Sequence, residues 1–350
     1  MSKNIKNLTR REFLRLCMLS SSSALVGCSF LKEDAVGLYQ KTDIPAAPVI
    51  ITGQPDELQV TQNTPSGSSN VADQTGVPAI SGKPYLSVAR GENPTAITQA
   101  AIAALGGMER FVKKDADVII KPNICVDYHT FEYAATTNPQ VIAALVQLCI
   151  AAGAKRVRVM DTPFGGRAET AYARSGIADA VSAAGGQMEV MNRNKYKEVP
   201  IPQGKDIKQW RIYQDIMDAD VFINVPIAKH HSLARLSLGG KNLLGVIQKP
   251  GLIHANLGQR LADLVSVIRP TLTVVDAVRT LMAHGPSGGN LDDVRLTNTV
   301  IACPDIVAAD AYAATLFGME GSDISYIQAA ADMGLGSLDL KSMRIEEINV

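Results

Sequence analysis

The sequence predicts an α/β fold, a mostly parallel sheet with helices on both faces, of the doubly wound type. Three observations predict it. Short apolar runs rich in β-branched residues recur along the chain, helix-periodic stretches separate them at close intervals, and polar groups collect where the runs end. Strands covered on both faces read as continuous rather than alternating apolar runs, and these do.

Taken in order, Tyr85 to Ala89 reads as the first strand and Thr95 to Leu105 as the first helix. Val118-Ile119-Ile120-Lys121 is a strand stopped by Pro122, since proline has no N–H for a central ladder. Asn138-Pro139 opens a helix: the asparagine side chain caps free N–H groups, and proline at the first helical position presets φ. Val141, Leu145, Leu148 and Ala152 repeat at helical spacing, and Gly153 closes that helix. Val157 to Met160 is the next strand, and one helix is expected over Ala168 to Ala184. After an irregular section around Trp210, Val221 to Val225 is a strand that Pro226 should end, leaving Lys229-His230-His231 beyond it. A helix at Leu257 to Ile268, strands at Leu272 to Val275 and Val300 to Ala302, and a helix at Ile306 to Phe317 follow. Right-handed crossovers then set all the strand carboxyl ends on one side. No internal repeat is visible.

Zero formal net charge over 350 residues conceals an asymmetry. The first 27 residues hold five basic groups and one acid, so the remainder is mildly acidic, at about −4. Nucleic-acid binding needs a dense basic face, and no such face is encoded. Thr9-Arg10-Arg11-Glu12-Phe13-Leu14-Arg15 resembles a twin-arginine export signal, and Leu25-Val26-Gly27-Cys28 resembles a lipoprotein cleavage box. Residues 1–27 are therefore expected to be a signal peptide read by the twin-arginine export machinery. Cys28 is expected to become the lipidated residue that holds the protein to a membrane in the cell envelope. Residues 28–84, rich in Pro, Ser, Thr, Gln and Gly, read as a flexible tether with a reach of roughly 40 Å. Residues 85–350 are the α/β body. Cys125, Cys149 and Cys303 remain there without a C-x-x-C spacing, so neither a disulfide framework nor a ferredoxin-type cluster is encoded. Cys149 falls in a helical apolar pattern as a core residue.

In open α/β sheets ligands bind beyond the carboxyl ends of the strands. The groups expected there are Lys121 and Asn123; Asp161; Lys229 and His231, with Lys241 and Asn242; and Asp276, ahead of His284, Gly288 and Gly289. Three lysines in one site favour an anionic ligand such as a carboxylate or phosphate. In that reading Lys121, Asn123, Lys241, Asn242, His284, Gly288, Gly289 and Asp310 bind ligand. Lys229, His231, Asp161 and Asp276 carry the chemistry, with His231 as acid and base, oriented by Asp161 or Asp276. His230 points oppositely along an extended chain. Asp305 reads as the N-cap of the helix from Ile306, whereas Asp310, inside that helix, must find a partner, for which a site lysine is one candidate. The histidines and aspartates also offer metal-ligand chemistry, but no H-x-x-x-H or H-E-x-x-H pair is present, so no metal site is assigned. No dinucleotide or Walker fingerprint names a cofactor either.

Lys121-Pro122-Asn123, Thr136-Thr137-Asn138-Pro139, Ala152-Gly153-Ala154-Lys155-Arg156-Val157, Lys229-His230-His231 with Lys241-Asn242-Leu243-Leu244-Gly245, and Asp305-Ile306-Val307-Ala308-Ala309-Asp310 resemble the prokaryotic family called "domain of unknown function 362". The resemblance spans Tyr85 to Gly318, with the family's Lys-x-His falling on Lys229 and His231. It implies an α/β body, sometimes joined to iron–sulphur modules, and no settled reaction. The expectation is thus an enzyme acting on a small anionic substrate. The alternatives are a tethered binding protein for an anionic solute or cofactor, or a metal- or iron–sulphur-associated redox accessory.

Overall fold

The computed structural model describes residues 85–350; the stretches expected to be an export signal and a tether, with Cys28, lie outside the described residues. In chain order the body begins β1 (Leu86–Arg90), α1 (Pro94–Ala104), β2 (Asp117–Pro122), α2 (Pro139–Ala151), β3 (Arg156–Val159), α3 (Ala168–Arg174), α4 (Ile177–Ala183) and β4 (Gln187–Met188). It continues through β5 (Tyr196–Pro200), β6 (Gln209–Tyr213), α5 (Gln214–Asp218), β7 (Val221–Val225), β8 (Ile227–His231), β9 (Arg235–Ser237) and α6 (Gly239–Asn242). It closes with α7 (Leu257–Val267), β10 (Leu272–Leu281), β11 (Val294–Cys303), α8 (Ile306–Thr315), α9 (Ser325–Asp332) and β12 (Ile345–Asn349).

Ten strands form one mostly parallel sheet in the order β12-β1-β11-β10-β7-β2-β3-β4, with β8 added on β10 and β9 on β8. Along that order only β11 runs against the rest, pairing antiparallel with both β1 and β10. One strand carboxyl end therefore departs from the expected common side. The strands bury both faces, as their continuous apolar runs require. Ile119, Phe222, Val275 and Ile301 face a layer containing α7, α8 and α9, while Val118, Ile120, Ile223 and Val274 face the layer of α1 to α4. The caps follow from the sequence. Asn93 accepts from the N–H groups of Thr95 and Ala96, Asn138 from Gln140, and Asp305 from Val307 and Ala308. Cys125, Cys149 and Cys303 are all free and buried. Among the described residues no helix is long and apolar enough to cross a membrane.

Three local expectations need correction. The single helix over Ala168 to Ala184 is two, because Gly176 takes φ +76 and turns the chain between α3 and α4. The two late strands are longer than their apolar runs: β10 and β11 extend into a hairpin whose β11 arm, Val294 to Asn298, is exposed or half-exposed, while Val278, Thr280 and Leu281 of the β10 arm stay buried. Pro226 interrupts the ladder but does not end the extended chain. Its carbonyl accepts from Asp276 N–H, and Ile227 to His231 then pairs again as β8, parallel to β10 and antiparallel to β9. Lys229 and His231 consequently stand on a strand, not on a loop.

Candidate functional site

A cavity of about 370 Å³ opens where β2, β3 and β8 end. Lys121, Asn123, Asp161, Lys229, His231, Lys241 and Asn242 all line it. Alternation along β2 puts Lys121 on the face of Ile119, and its side chain is fully buried. Its Nζ donates to Asp161 Oδ1 at 2.7 Å, Pro122 O at 2.9 Å and Asn242 Oδ1 at 3.0 Å. Three ammonium protons thus meet three acceptors. Asp161 in turn accepts from the N–H groups of Ile124 at 2.7 Å and Thr162 at 2.9 Å. Burial lowers the lysine and raises the aspartate, and their mutual attraction opposes both shifts. A neutral amine would leave an acceptor unserved, so the charged pair is the form that satisfies every atom. Gly245 closes over it: a Cβ there would stand 2.0 Å from Asp161 Oδ1 and 2.8 Å from Lys121 Nζ. Lys121 and Asp161 therefore hold the floor of the cavity. The expectations of Lys121 as a ligand binder and of Asp161 as the partner of His231 are corrected accordingly.

From that pair a line of amides runs to the second lysine. Asn242 Oδ1 also accepts from Asn123 Nδ2 at 2.9 Å, and Asn123 Oδ1 accepts from Lys229 Nζ at 2.9 Å. Asn242 Nδ2 donates to Asn224 Oδ1 at 2.9 Å, and the Asn123 N–H donates to Thr137 Oγ1 at 2.8 Å. Every amide orientation is thereby set. Lys229 also donates to Ala135 O at 2.7 Å, so its acceptors are neutral and it has no carboxylate of its own. Burial pushes its ammonium down from the usual value, and the Cys125 sulfur beside it opposes that shift. The ammonium of Lys241, near the end of α6, makes no hydrogen bond or ion pair among the described residues. Burial and then the Lys229 charge bring it down to about 8.

His231 reaches the cavity with its Nδ1 accepting from the N–H groups of Leu233 at 3.1 Å and Ala234 at 3.2 Å. The ring proton is then on Nε2. Burial, followed by the Lys241 and Lys229 charges, lowers the ring to about 3. At neutral pH His231 is a neutral hydrogen-bond donor. The expectation of a histidine proton carrier is corrected on those grounds.

A family model described as "Domain of unknown function (DUF362)" matches residues 118–315, more than half of the chain. The chain belongs to the DUF362 family. A thylakoid-associated protein of Synechocystis sp. is 28% identical over 242 residues, covering 66% of this chain and 72% of that protein. Among solved structures, the lactate racemase apoprotein from Thermoanaerobacterium thermosaccharolyticum aligns with a TM-score of 0.41 and 12% identity, over 63% of this chain and 54% of that one. A Thermotoga maritima protein aligns with a TM-score of 0.33 and 13% identity, over 53% of this chain and 51% of that one. This DUF362 chain therefore spans about half the length of the solved structures it matches.

Five expected residues stand elsewhere. Asp276 is buried, but its oxygens accept from Asn138 N–H at 2.7 Å and Val278 N–H at 2.9 Å, tying the start of α2 to β10; burial raises it to about 6. Asp310 accepts from Gly239 N–H at 2.6 Å and Gly240 N–H at 2.8 Å, and burial raises it to about 7. It holds the start of α6, and so positions Lys241 and Asn242 without entering the cavity. His284 is exposed on the hairpin between β10 and β11, 2.7 Å from Asp293. Gly288 and Gly289, with φ +64 and +136, shape that hairpin and do not line the cavity. His230 faces away, accepting from Gly285 N–H. Among the described residues no group of three or more His, Cys, Asp and Glu is placed to hold a metal ion.

The cavity also holds residues the sequence did not single out. Cys125, buried, lies in its wall just past β2. Its place four residues after Lys121, beyond a strand end, was the available signal. Phe164 and Leu233 add to the lining from loops whose sequences carry no pattern, and His254 adds to it from the turn before α7.

Proposed function

We propose that the cavity binds a small anionic molecule through a carboxylate or phosphate group, and that the protein is an enzyme that moves a proton next to that group. One observation supports this above the rest. The lining contains three lysines and a single carboxylate, Asp161, and that carboxylate is consumed by Lys121 and two backbone N–H groups. Lys229, buried, and Lys241, half-buried, are left facing the cavity without a carboxylate of their own, and ammonium groups withdrawn from water call for an anion.

In this reading Lys229 and the Nε2–H of His231 hold the anionic group. Lys241 carries the proton, since its value near 8 leaves both forms populated at working pH. The neutral amine takes a proton from the carbon beside the carboxylate, and the electron pair moves onto the carboxylate oxygens. Lys229 and His231 stabilise the charge that develops there. The proton then returns from Lys241.

Calorimetric titration of the purified chain with acetate and inorganic phosphate tests the binding half. Proton NMR in D2O, following loss of the C2–H signal of glycolate and succinate, tests the catalytic half. Binding together with exchange that disappears in Lys241→Met supports the enzyme. Binding without exchange of either acid sinks the catalytic half and leaves a tethered binding protein. An absence of binding heat with both anions sinks the whole reading.

The amino-terminal sequence supports placing this activity in the cell envelope, reached through the twin-arginine machinery and held by lipid on Cys28. The thylakoid association of the Synechocystis relative accords with a membrane-side location. Mass spectrometry of the amino-terminal peptide is the check. An acylated Cys28 supports the proposal, and an intact Met1 terminus in the soluble fraction refutes it.

A further inference from the structure

Phe164 and Leu233 are the two most exposed large apolar side chains among the described residues, at 78% and 70%, and both line the same cavity. Leu252, also exposed, stands in the turn that supplies Pro250 and Gly251 to the lining. Large apolar side chains elsewhere on the body are mostly buried, so two such groups at one mouth form a local apolar rim. Behind that rim the walls carry lysines with no free carboxylate. The site thus presents cationic depth and apolar entrance in series.

We propose that the ligand is an amphiphile, with an anionic carboxylate or phosphate head seated at Lys229 and His231, beside Lys241, and an aliphatic tail lying across Phe164 and Leu233. The assignment rests on the anion-binding reading above and adds the substrate class to it. The match is one of complementary polarity: a short hydrophilic anion would leave the apolar rim in water, whereas an alkyl chain covers it.

The test is calorimetric titration of the purified chain with two series: acetate, butyrate, hexanoate and octanoate, and the corresponding alkyl phosphates from methyl to octyl. The readout is the ratio of eight-carbon to shortest-member affinity within each variant, so that any general loss of the site cancels. Even half-burial of each added methylene predicts a ratio of at least about tenfold in one series. That ratio should fall below about threefold in Phe164→Ser/Leu233→Ser, where the apolar contact is gone. A ratio near one in the unaltered chain, with the short anions still binding, overturns the amphiphile and leaves the anion site standing. A large ratio that survives Phe164→Ser/Leu233→Ser overturns it as well, as does tight octyl binding that persists in Lys229→Met/Lys241→Met. Failure of every member of both series to bind removes the parent reading too. A flat ratio combined with rim-dependent binding to phosphatidylglycerol vesicles reassigns Phe164 and Leu233 to a membrane surface and refutes the tail.

Discussion

Replacing Asp161 by asparagine isolates the buried ion pair beneath the cavity. Asp161 answers three donors: the Lys121 ammonium at 2.7 Å and the N–H groups of Ile124 and Thr162 at 2.7 and 2.9 Å. Asparagine has one acceptor oxygen, so its NH2 must face either an ammonium or a backbone N–H, and Lys121 loses its only opposite charge. Removing one member of a buried pair costs about 3–5 kcal/mol, because the survivor is left charged and desolvated. For a body of this size each kcal/mol moves Tm by about 2–4 °C, so Asp161→Asn should melt roughly 6–20 °C below the parent. Circular dichroism melts at pH 7 measure it. Lys121→Met/Asp161→Leu should recover part of the loss, since two apolar groups leave no charge stranded. An Asp161→Asn protein melting within about 2 °C of the parent would refute the argument that this pair carries charge and that the charge is uncompensated elsewhere.

Two further predictions concern the neighbouring basic groups. Lys241 is brought from 10.5 to about 8, so acetate, ionised from about pH 6 upward, should bind with nearly constant affinity between about pH 6 and pH 7 and progressively weaker as pH rises through 8, by at most about tenfold per unit. Lys241→Met should abolish that break, and an unbroken profile in the unaltered chain would count against Lys241 as part of the site. His231 is lowered from 6.5 to about 3, so in that range the folded chain binds fewer protons there than the unfolded chain, and stability drains away as pH falls from about 6.5. Asparagine at position 231 can still accept from the Leu233 and Ala234 N–H groups but does not titrate. The melting temperature of His231→Asn should therefore gain on the parent as pH drops from 7 to 4, and parallel curves would show that His231 is not held neutral.

Much of the architecture was written in local patterns. The capping asparagines Asn93 and Asn138, the proline that ends β2 and the unbroken apolar strands each report a backbone state through the side chain that produces it. The gathering of Lys121, Lys229 and Lys241 followed from the same logic, since strand ends in a mostly parallel sheet converge. Their separate duties were not legible. Lys121 is saturated by a carboxylate 40 residues away and by an amide 121 residues away, and nothing in its own neighbourhood signals that. Asp310 was readable as a buried carboxylate in need of a partner. Its partners are the N–H groups of Gly239 and Gly240, and backbone donors leave no mark in a sequence. His231 misled for the same reason: two backbone N–H groups fix its tautomer. Pro226 was read as a full stop because the rule concerns one missing donor, not the direction of the chain that follows.

That imino acid has a wider effect. Before Pro226 the chain is stitched on both flanks, to β2 on one side and β10 on the other; after it, β8 keeps β10 and takes β9 in place of β2. The seam between the second strand and its former neighbour comes apart at that point. The residues beyond β2, Asn123 to Cys125, and those on and after β8, Lys229 and His231 to Leu233, become opposite banks of the resulting slot. A molecule lying there is gripped by two edges that belong to one sheet yet have let go of each other, so the width of the slot is set by where the hydrogen bonding stops.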